Sequence, residues 1–330
     1  MAANPLPTRH LGDLAVPAIG FGAMVLSPGM YGDIDEDRAL TALRHAIEAG
    51  ATFVDTSDAY GEGHNESLVG RAIAGRRDDV VVATKFGLNV RDGAERHAFP
   101  VAYAFGELAV NGEPRYVRGY AQDSLRRLDT DVIDLYYLHF PDPAVPVEDT
   151  AGAVADLVAD GLVRHFGLSN VTADELRRAH ATHPVTAVQV EWSMWRPIPP
   201  DLLAAADELG VGIVAWSPLG GGFLTGTVTD VGDGDFRRNA PRFQGDNLAV
   251  NNGRYATVRR LAEGLAITPG QLALAWLLHQ HPAVVPIPGS RTPAHIDENI
   301  DAARVDLHPD TLDQVDRLLA GTAPAGAALL

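Results

Sequence analysis

What most constrains the fold is an alternation that runs from end to end. Short runs that are apolar on both sides are each followed by a segment with helical spacing. The runs are Pro17 to Met24, Ala51 to Asp55, Val80 to Lys85, Val132 to Leu138, Val163 to Leu168, Thr186 to Val190, Val211 to Trp216 and Ala283 to Ile287. A strand apolar on both faces is one covered on both faces, the condition of a parallel sheet wrapped by helices. The segments between carry their own punctuation. Ala39, Leu40, Leu43, Ala46 and Ile47 share one helical face that ends before Gly50. Thr172-x-x-Glu175 and Thr268-x-x-Gln271 fit capping boxes, with Pro269 in a first helical position. Eight such strands, each followed by a helix directly or after a loop, are the count of an α/β fold of the (β/α)8 TIM-barrel type. The main alternative is a doubly wound sheet, which usually marks a nucleotide site with G-x-G-x-x-G, and that motif is absent. Thr8 to Leu11 and Leu14 to Val16 predict a short hairpin that closes the bottom. With no internal repeat and no linker, residues 1–330 read as one domain.

Two connections are long, roughly Phe86 to Pro114 and Pro218 to Val250. Loops of that length in a compact domain are usually functional lids or disordered segments. The second holds Gly232-Asp233-Gly234-Asp235, then Arg237, Arg238 and Phe243, a composition suited to a mobile flap. The first residues and the Ala/Gly-rich tail from Gly321 are expected to fray.

Charge and composition exclude several partners. A net charge of −17 repels phosphates, which argues against nucleic acid and anionic membranes. No window approaches 18 uninterrupted apolar residues, and Met1-Ala2-Ala3-Asn4-Pro5 lacks the basic start and apolar stretch of a signal peptide. Zero cysteines exclude disulfides, thiolate metal sites and a Cys nucleophile. A cytoplasmic monomer without a metal site is the expectation.

One residue stands apart in this composition. Of 26 basic residues, only Lys85 is a lysine, and it ends the apolar run Val80-Val81-Val82-Ala83-Thr84-Lys85. Codon bias towards Arg explains why lysine is scarce elsewhere, but not why the survivor ends a strand. Unlike a guanidinium, an ammonium is a compact point charge whose pKa responds to a cleft. In a (β/α)8 barrel, all C-terminal strand ends meet at one face. Asp55, Lys85 and His139 end or follow three successive strands, and Tyr60 lies just past Asp55 in Asp58-Ala59-Tyr60-Gly61. Asp, Tyr, Lys and His at one mouth make a proton-transfer set. The ammonium favours phenolate and is expected to lower the Tyr60 pKa from about 10, while Asp55 balances the charge of Lys85.

Val54-Asp55-Thr56-Ser57-Asp58-Ala59-Tyr60-Gly61, Ala83-Thr84-Lys85-Phe86-Gly87 and Ile133-Asp134-Leu135-Tyr136-Tyr137-Leu138-His139 resemble the signature segments of the aldo-keto reductases. The resemblance runs from about Leu11 to Asp306 and is nearest the bacterial branches related to potassium-channel β-subunits. It implies an NADP(H)-dependent enzyme that reduces an aldehyde or ketone. Tyr60 would be the general acid, Lys85 and Asp55 would tune it, and His139 would orient the carbonyl. By the same resemblance Ser169, Asn170 and Gln189 would hold the nicotinamide carboxamide, and Trp216 would stack on its ring. Ser217, Pro218, Leu219 and Gly220 would run along the pyrophosphate. Ser290 and Arg291 precede a helix N-terminus and would take the 2′-phosphate, with Glu298 and Asn299 at the adenine.

Three positions depart from the family pattern: Gly221 and Phe140, where relatives commonly have Arg, and His295, on the adenine side. Met24, Tyr31, Phe86, Phe140, Trp192, Trp195 and Phe223 are the expected pocket walls, which suit a small or medium carbonyl compound with an apolar body. Two other readings compete with the reductase. One is a subunit that holds NADP(H) as a redox sensor with little turnover. The other is a barrel lyase with Lys85 as a Schiff-base amine.

Overall fold

The computed structural model describes residues 5–320 and 323–330. The chain opens with an antiparallel hairpin, β1 (Thr8–Leu11) and β2 (Leu14–Pro17). It continues through β3 (Phe21–Gly22), β4 (Phe53–Asp55) and β5 (Val81–Phe86). A second hairpin follows, β6 (His97–Pro100) and β7 (Glu107–Val110). Then come β8 (Ile133–Leu138), β9 (Val163–Ser169), β10 (Val185–Glu191), β11 (Gly212–Trp216) and β12 (Val284–Pro286). The helices are α1 (Glu36–Glu48), α2 (His64–Ile73), α3 (Pro114–Leu128), α4 (Val147–Ala159), α5 (Ala173–Thr182), α6 (Pro200–Leu209), α7 (Asn247–Gly264), α8 (Pro269–Gln280), α9 (Pro293–Asp301) and α10 (Pro309–Ala320). Both capping boxes form, at Thr172 with Glu175 and at Thr268 with Gln271.

Eight strands lie parallel in the order β3, β4, β5, β8, β9, β10, β11, β12. The seam between last and first closes where the Gly20 N–H donates to Pro286 O at 3.0 Å. Backbones meet so closely here that a Cβ on Gly22 would sit 2.6 Å from Ile287 O. Only glycine fits there. The first strand is shorter than expected, because Pro17 ends the hairpin and Ala23–Leu26 winds into a 3-10 turn.

Alternation along each strand sorts side chains inward and outward. Inward, Phe53, Ala83, Leu135, Tyr137, Ala187, Val214 and Val285 fill the barrel. One step further up the same strands, at a spacing of two, stand Asp55, Lys85, His139, Gln189 and Trp216. Outward, Val54, Val82, Tyr136, Phe166, Val188 and Ile213 join the larger cluster beneath the helices. Burying a Leu or Phe contributes roughly 1.5–3 kcal/mol, so a one-residue slip that exchanged the two sets is strongly opposed.

The hairpin of β1 and β2 plugs the bottom, and Leu11 and Val16 belong to the interior cluster. Arg9 ties it in place, donating to Leu278 O at 2.6 Å, His281 O at 2.7 Å and Val284 O at 2.8 Å. These include carbonyls at the end of α8, which the helix itself cannot satisfy.

Both long connections lie over the opposite end. The first is organised by β6 and β7, and the second runs through 3-10 turns at Phe223–Thr225, Phe236–Asn239 and Pro241–Phe243. They meet where the Ala104 N–H donates to Asn239 O at 2.9 Å. The second also reaches the loop after β3: the Phe236 N–H donates to Met30 O at 2.7 Å, and Tyr31 bridges to Asp235. The tail does not fray as expected within its described part. The Ala325 N–H donates to Asn251 Oδ1 at 2.7 Å, the Ala102 N–H donates to Leu329 O at 2.9 Å, and Ala328 is buried. Ala and Gly lose almost no side-chain entropy on docking, so a few bonds suffice. The fraying expected of residues 1–4 and of Gly321 and Thr322 falls outside the described residues.

Candidate active site

Neighbouring strands deliver the charges to one point. Lys85 Nζ donates to Asp55 Oδ1 at 2.5 Å, to Thr56 O at 2.9 Å and to Tyr60 Oη at 3.2 Å. Gln189 Nε2 donates to Asp55 Oδ2 at 2.7 Å from across the barrel. Asp55 and Lys85 are 2% and 1% exposed, so each charge is held out of water and answered by the other. Tyr60 keeps a partly exposed edge at the mouth.

The electrostatics correct one expectation. Burial raises the Tyr60 pKa and outweighs the lowering by Lys85, so the phenol stays protonated. Burial presses the Lys85 pKa down, but Asp55 and Tyr60 together hold it above the ordinary value. Burial raises the Asp55 carboxyl while Lys85 opposes it. His139 is pushed well below its usual value by burial and by the Lys85 charge, which makes it a neutral imidazole.

His139 meets Tyr60 edge to face, with ring centroids 6.0 Å apart. Asn170 links it to the next strands. With a φ of 59° it turns back at the end of β9, a left-handed conformation that Asn tolerates. Its Nδ2 donates to His139 O and to Ser169 Oγ, both at 3.0 Å, and its Oδ1 accepts from Trp216 Nε1 at 3.2 Å. A half-buried indole is thus tied through Asn170 to the His139 backbone. Gln189 and Asn170, expected at a carboxamide, are in this structure also internal braces of the site.

After Trp216 the chain turns sharply. Ser217 Oγ accepts the Gly221 N–H at 2.9 Å, Pro218 and Leu219 are buried, and Gly220, Gly221 and Gly222 all have positive φ. An Arg at 221 would be strained in that conformation. A cation arrives from the second long connection instead: Arg237 donates to Gly221 O at 2.7 Å, pairs with Asp235 and lies 4.8 Å from the centre of the Tyr31 ring.

At the far side, Ser290 Oγ accepts the Thr292 N–H at 3.2 Å. Thr292 is the N-cap of α9 but makes no side-chain cap bond, so first-turn N–H groups of that helix are left without the partner that Thr172 and Thr268 give theirs. Uncapped N–H groups next to Ser290 and Arg291 suit a phosphate. Arg291 is already engaged, donating to Val25 O at 2.6 Å and to Gly32 O and Asp33 O, both at 3.1 Å. A guanidinium has five N–H groups, so it retains two for an anion. Glu298 Oε1 accepts from Thr268 Oγ1 at 2.6 Å, Asn299 is buried, and His295 is exposed.

Several expected pocket walls are not walls. Phe86 follows the inward Lys85 and so points outward, fully buried and stacked on Tyr136 at 4.7 Å. Phe223 is fully buried behind Trp195, stacked on it at 3.6 Å. Phe140 is 5% exposed and stacks on His139 and, more tilted, on Phe99, which makes it a support for the imidazole. Trp192 and Trp195 are also buried, while Met24 and Tyr31 remain half-exposed at the mouth.

Four residues near the site have no assigned role in the sequence reading. Glu191 continues the inward face above Gln189, and Arg242 of the second long connection stands 3.5 Å from its carboxylate and 5.6 Å from the centre of the Trp195 ring. Ser57 and Asp58 sit buried between Asp55 and Tyr60. In the sequence they stand out only by lying between Asp55 and Tyr60; their burial is a property of the assembled barrel.

The family model of the Aldo/keto reductase family matches residues 18–320. A curated relative, the "Probable aldo-keto reductase 1" of Glycine max, is 42% identical over 305 residues, which cover 91% of this chain and 84% of that protein. Among solved structures, the glycerol dehydrogenase AKR11B4 from Gluconobacter oxydans superposes with a TM-score of 0.82 at 28% identity, covering 97% of each chain. An aldo-keto reductase from Klebsiella pneumoniae in complex with NADPH gives a TM-score of 0.71 at 29% identity, covering 100% of this chain and 99% of that one.

Proposed function

The chain belongs to the aldo/keto reductase family, and on that premise we propose that it reduces an aldehyde or ketone to the alcohol with NADPH as reductant and Tyr60 as proton donor. The observation that carries this reading is the chain of contacts from Asp55 through Lys85 to Tyr60, which ends at the barrel mouth against the His139 ring. The NADPH bound by the Klebsiella pneumoniae relative supports the cofactor assignment.

NADPH, when bound, supplies the hydride. Trp216 offers the flat face for a nicotinamide, and Asn170 keeps that face from turning. Ser217 to Gly220 supply backbone for the pyrophosphate. Ser290, the uncapped start of α9 and the two remaining N–H groups of Arg291 serve the 2′-phosphate, with Glu298 and Asn299 nearby. Tyr60 keeps its proton until the carbonyl oxygen accumulates charge, and then gives it up. Lys85 stabilises the phenolate left behind, and Asp55 keeps the ammonium in position. A neutral His139 can donate a hydrogen bond to the carbonyl without releasing a full charge. The same groups run in reverse for oxidation of an alcohol.

This arrangement opposes the lyase. A Schiff base needs a free, neutral amine, whereas Lys85 gives hydrogen bonds to three acceptors and is held charged by Asp55. The test is loss of NADPH absorbance with a panel of small aldehydes and ketones, alongside quenching of tryptophan fluorescence by NADPH and by NADH. Turnover with any of the panel supports the reductase. Tight NADPH binding with no turnover on the whole panel would favour the redox sensor instead.

A further inference from the structure

Behind Tyr60, three buried polar side chains stand in a line. Ser57 Oγ is 3.1 Å from His139 Nδ1, 3.2 Å from Asp58 Oδ1, and accepts the Ala59 N–H at 3.1 Å. Ser57, Asp58 and His139 are 0%, 2% and 7% exposed, so all three lie out of bulk solvent. A serine hydroxyl has one hydrogen to give and two sites at which to accept. Ala59 takes one of those sites. One hydrogen and one site remain, to be divided between Asp58 and His139.

Only two divisions use both. In the first, Ser57 gives its hydrogen to an ionised Asp58 and accepts from a protonated Nδ1, so that Nε2 of the neutral imidazole carries a lone pair. In the second, Asp58 carries a proton on Oδ1 and gives it in a hydrogen bond to Ser57, which gives its own hydrogen to Nδ1. Nε2 is then the protonated nitrogen. These are different chemical tools, since a lone pair repels a carbonyl oxygen while an N–H orients it.

We propose that Ser57 and Asp58 are positioning residues that select the tautomer of His139, with protonated Asp58, acting through the Ser57 hydroxyl, holding an Nε2–H for the substrate carbonyl. The proposal rests on the carbonyl-reductase reading and adds two residues to it. The surroundings of Asp58 favour its neutral form. It faces Glu66 of α2, Arg127 and Tyr120 of α3, Tyr136 of β8 and Tyr60 on its own turn. Arg127, the one cation of that set, donates to Glu66 Oε2 at 2.6 Å. Burial, then the Glu66 carboxylate, push the Asp58 pKa up to about 7, against Arg127, Ser57 and the Gly87 N–H. Asp58 Oδ2 is buried with no partner in hydrogen-bond geometry among the described residues, so a proton placed there would be an orphan donor, and Oδ1 is the favoured site. The donor tautomer therefore dominates below neutrality and gives way above it, while the imidazole itself stays uncharged.

The test combines a spectrum with a rate. On the full chain labelled with nitrogen-15, the His139 ring is assigned by its loss in His139→Gln, and its two nitrogens are read at pH 6 and pH 8.5. The proposal expects Nε2–H at the lower pH and Nδ1–H at the higher. In Asp58→Asn the side-chain amide can donate to Ser57 at any pH, so Nε2–H is expected throughout. For carbonyl reduction, wild-type kcat/KM should fall roughly tenfold across that interval, the order expected for losing one neutral hydrogen bond to the carbonyl. Asp58→Asn and Ser57→Ala should flatten the fall, and Ser57→Thr should restore it. A tautomer that does not change with pH in the wild type, or a fall that survives in Asp58→Asn, overturns the proposal. Absence of turnover on every carbonyl would count against the reductase reading alone, because the spectrum decides the tautomer without turnover.

Discussion

Lys85 Nζ donates to Tyr60 Oη at 3.2 Å, and this contact decides the direction in which the phenol gives its one hydrogen. The lone pair on the inner side of the oxygen is taken by the ammonium, so the phenolic hydrogen is left for the mouth. Tyr60→Phe removes the hydrogen and the oxygen while keeping the ring packed against His139 at 6.0 Å. We expect kcat/KM for carbonyl reduction to fall by about 10² to 10⁴, with the NADPH dissociation constant within a few-fold of the wild type. Steady-state kinetics and a fluorescence titration check this. Near-normal turnover in the variant would remove Tyr60 as the acid.

The Asp55 and Lys85 pair separates folding from chemistry. Lys85→Met leaves a carboxylate that is 2% exposed with Gln189 as its remaining side-chain partner. Breaking a buried pair from one side costs about 3–5 kcal/mol. Denaturant melts should show that loss, and adding Asp55→Asn should recover most of it by removing the stranded charge. Activity should not return, since neither variant can stabilise a Tyr60 phenolate. A double variant no more stable than Lys85→Met would mean that Asp55 is not stranded.

How much of this was legible in the sequence depends on distance along the chain. The eight apolar runs with helical spacing between them carried the barrel, because strand covering is a local pattern. Asp55, Lys85 and His139 followed from it, as all three lie at strand ends. Strand parity would also have placed Phe86 outside, one step from the inward Lys85. The hairpin of β6 and β7 escaped because His97–Pro100 and Glu107–Val110 are only four residues each and partly exposed, with no run long enough to stand out. The direction of the Tyr60 shift could not be read either. A neighbouring ammonium argues for lowering, and only the depth of burial, a property of the assembled barrel, shows that desolvation wins. Arg291 was legible as a cation before a helix, but its carbonyl partners lie 258 to 266 residues away.

Asp58 makes stability depend on pH in a direction that can be worked out. Its pKa is raised from 3.8 to about 7, so the folded chain holds the proton more tightly than the unfolded one. Its contribution is fully present below about pH 4, is lost as pH rises towards 7, and is level above that. Asp58→Asn removes the charge at every pH. The variant should be more stable than the wild type at pH 8, by on the order of 4 kcal/mol if the whole shift is realised, and close to it near pH 4. Thermal melts at the two values measure the gap. A gap that does not widen with pH would mean that Asp58 is ionised at little cost in the folded chain.

Arg291 joins the start of α9 to the loop after β3 through Val25, Gly32 and Asp33, and that loop in turn bridges to the second long connection at Tyr31 and Asp235. Arg291→Ala should therefore have two separable effects. Losing a charged hydrogen-bond donor to a phosphate costs about 1.5–3 kcal/mol, so NADPH should bind some ten- to a hundredfold more weakly. NADH, which has no 2′-phosphate, should lose much less. Independently of either cofactor, the three carbonyls lose their donor, and amide exchange across residues 25–33 should quicken in the variant without ligand. Equal losses for NADPH and NADH would remove the 2′-phosphate assignment and leave the clasp as the role of Arg291. Unchanged exchange with a selective loss of NADPH would do the reverse.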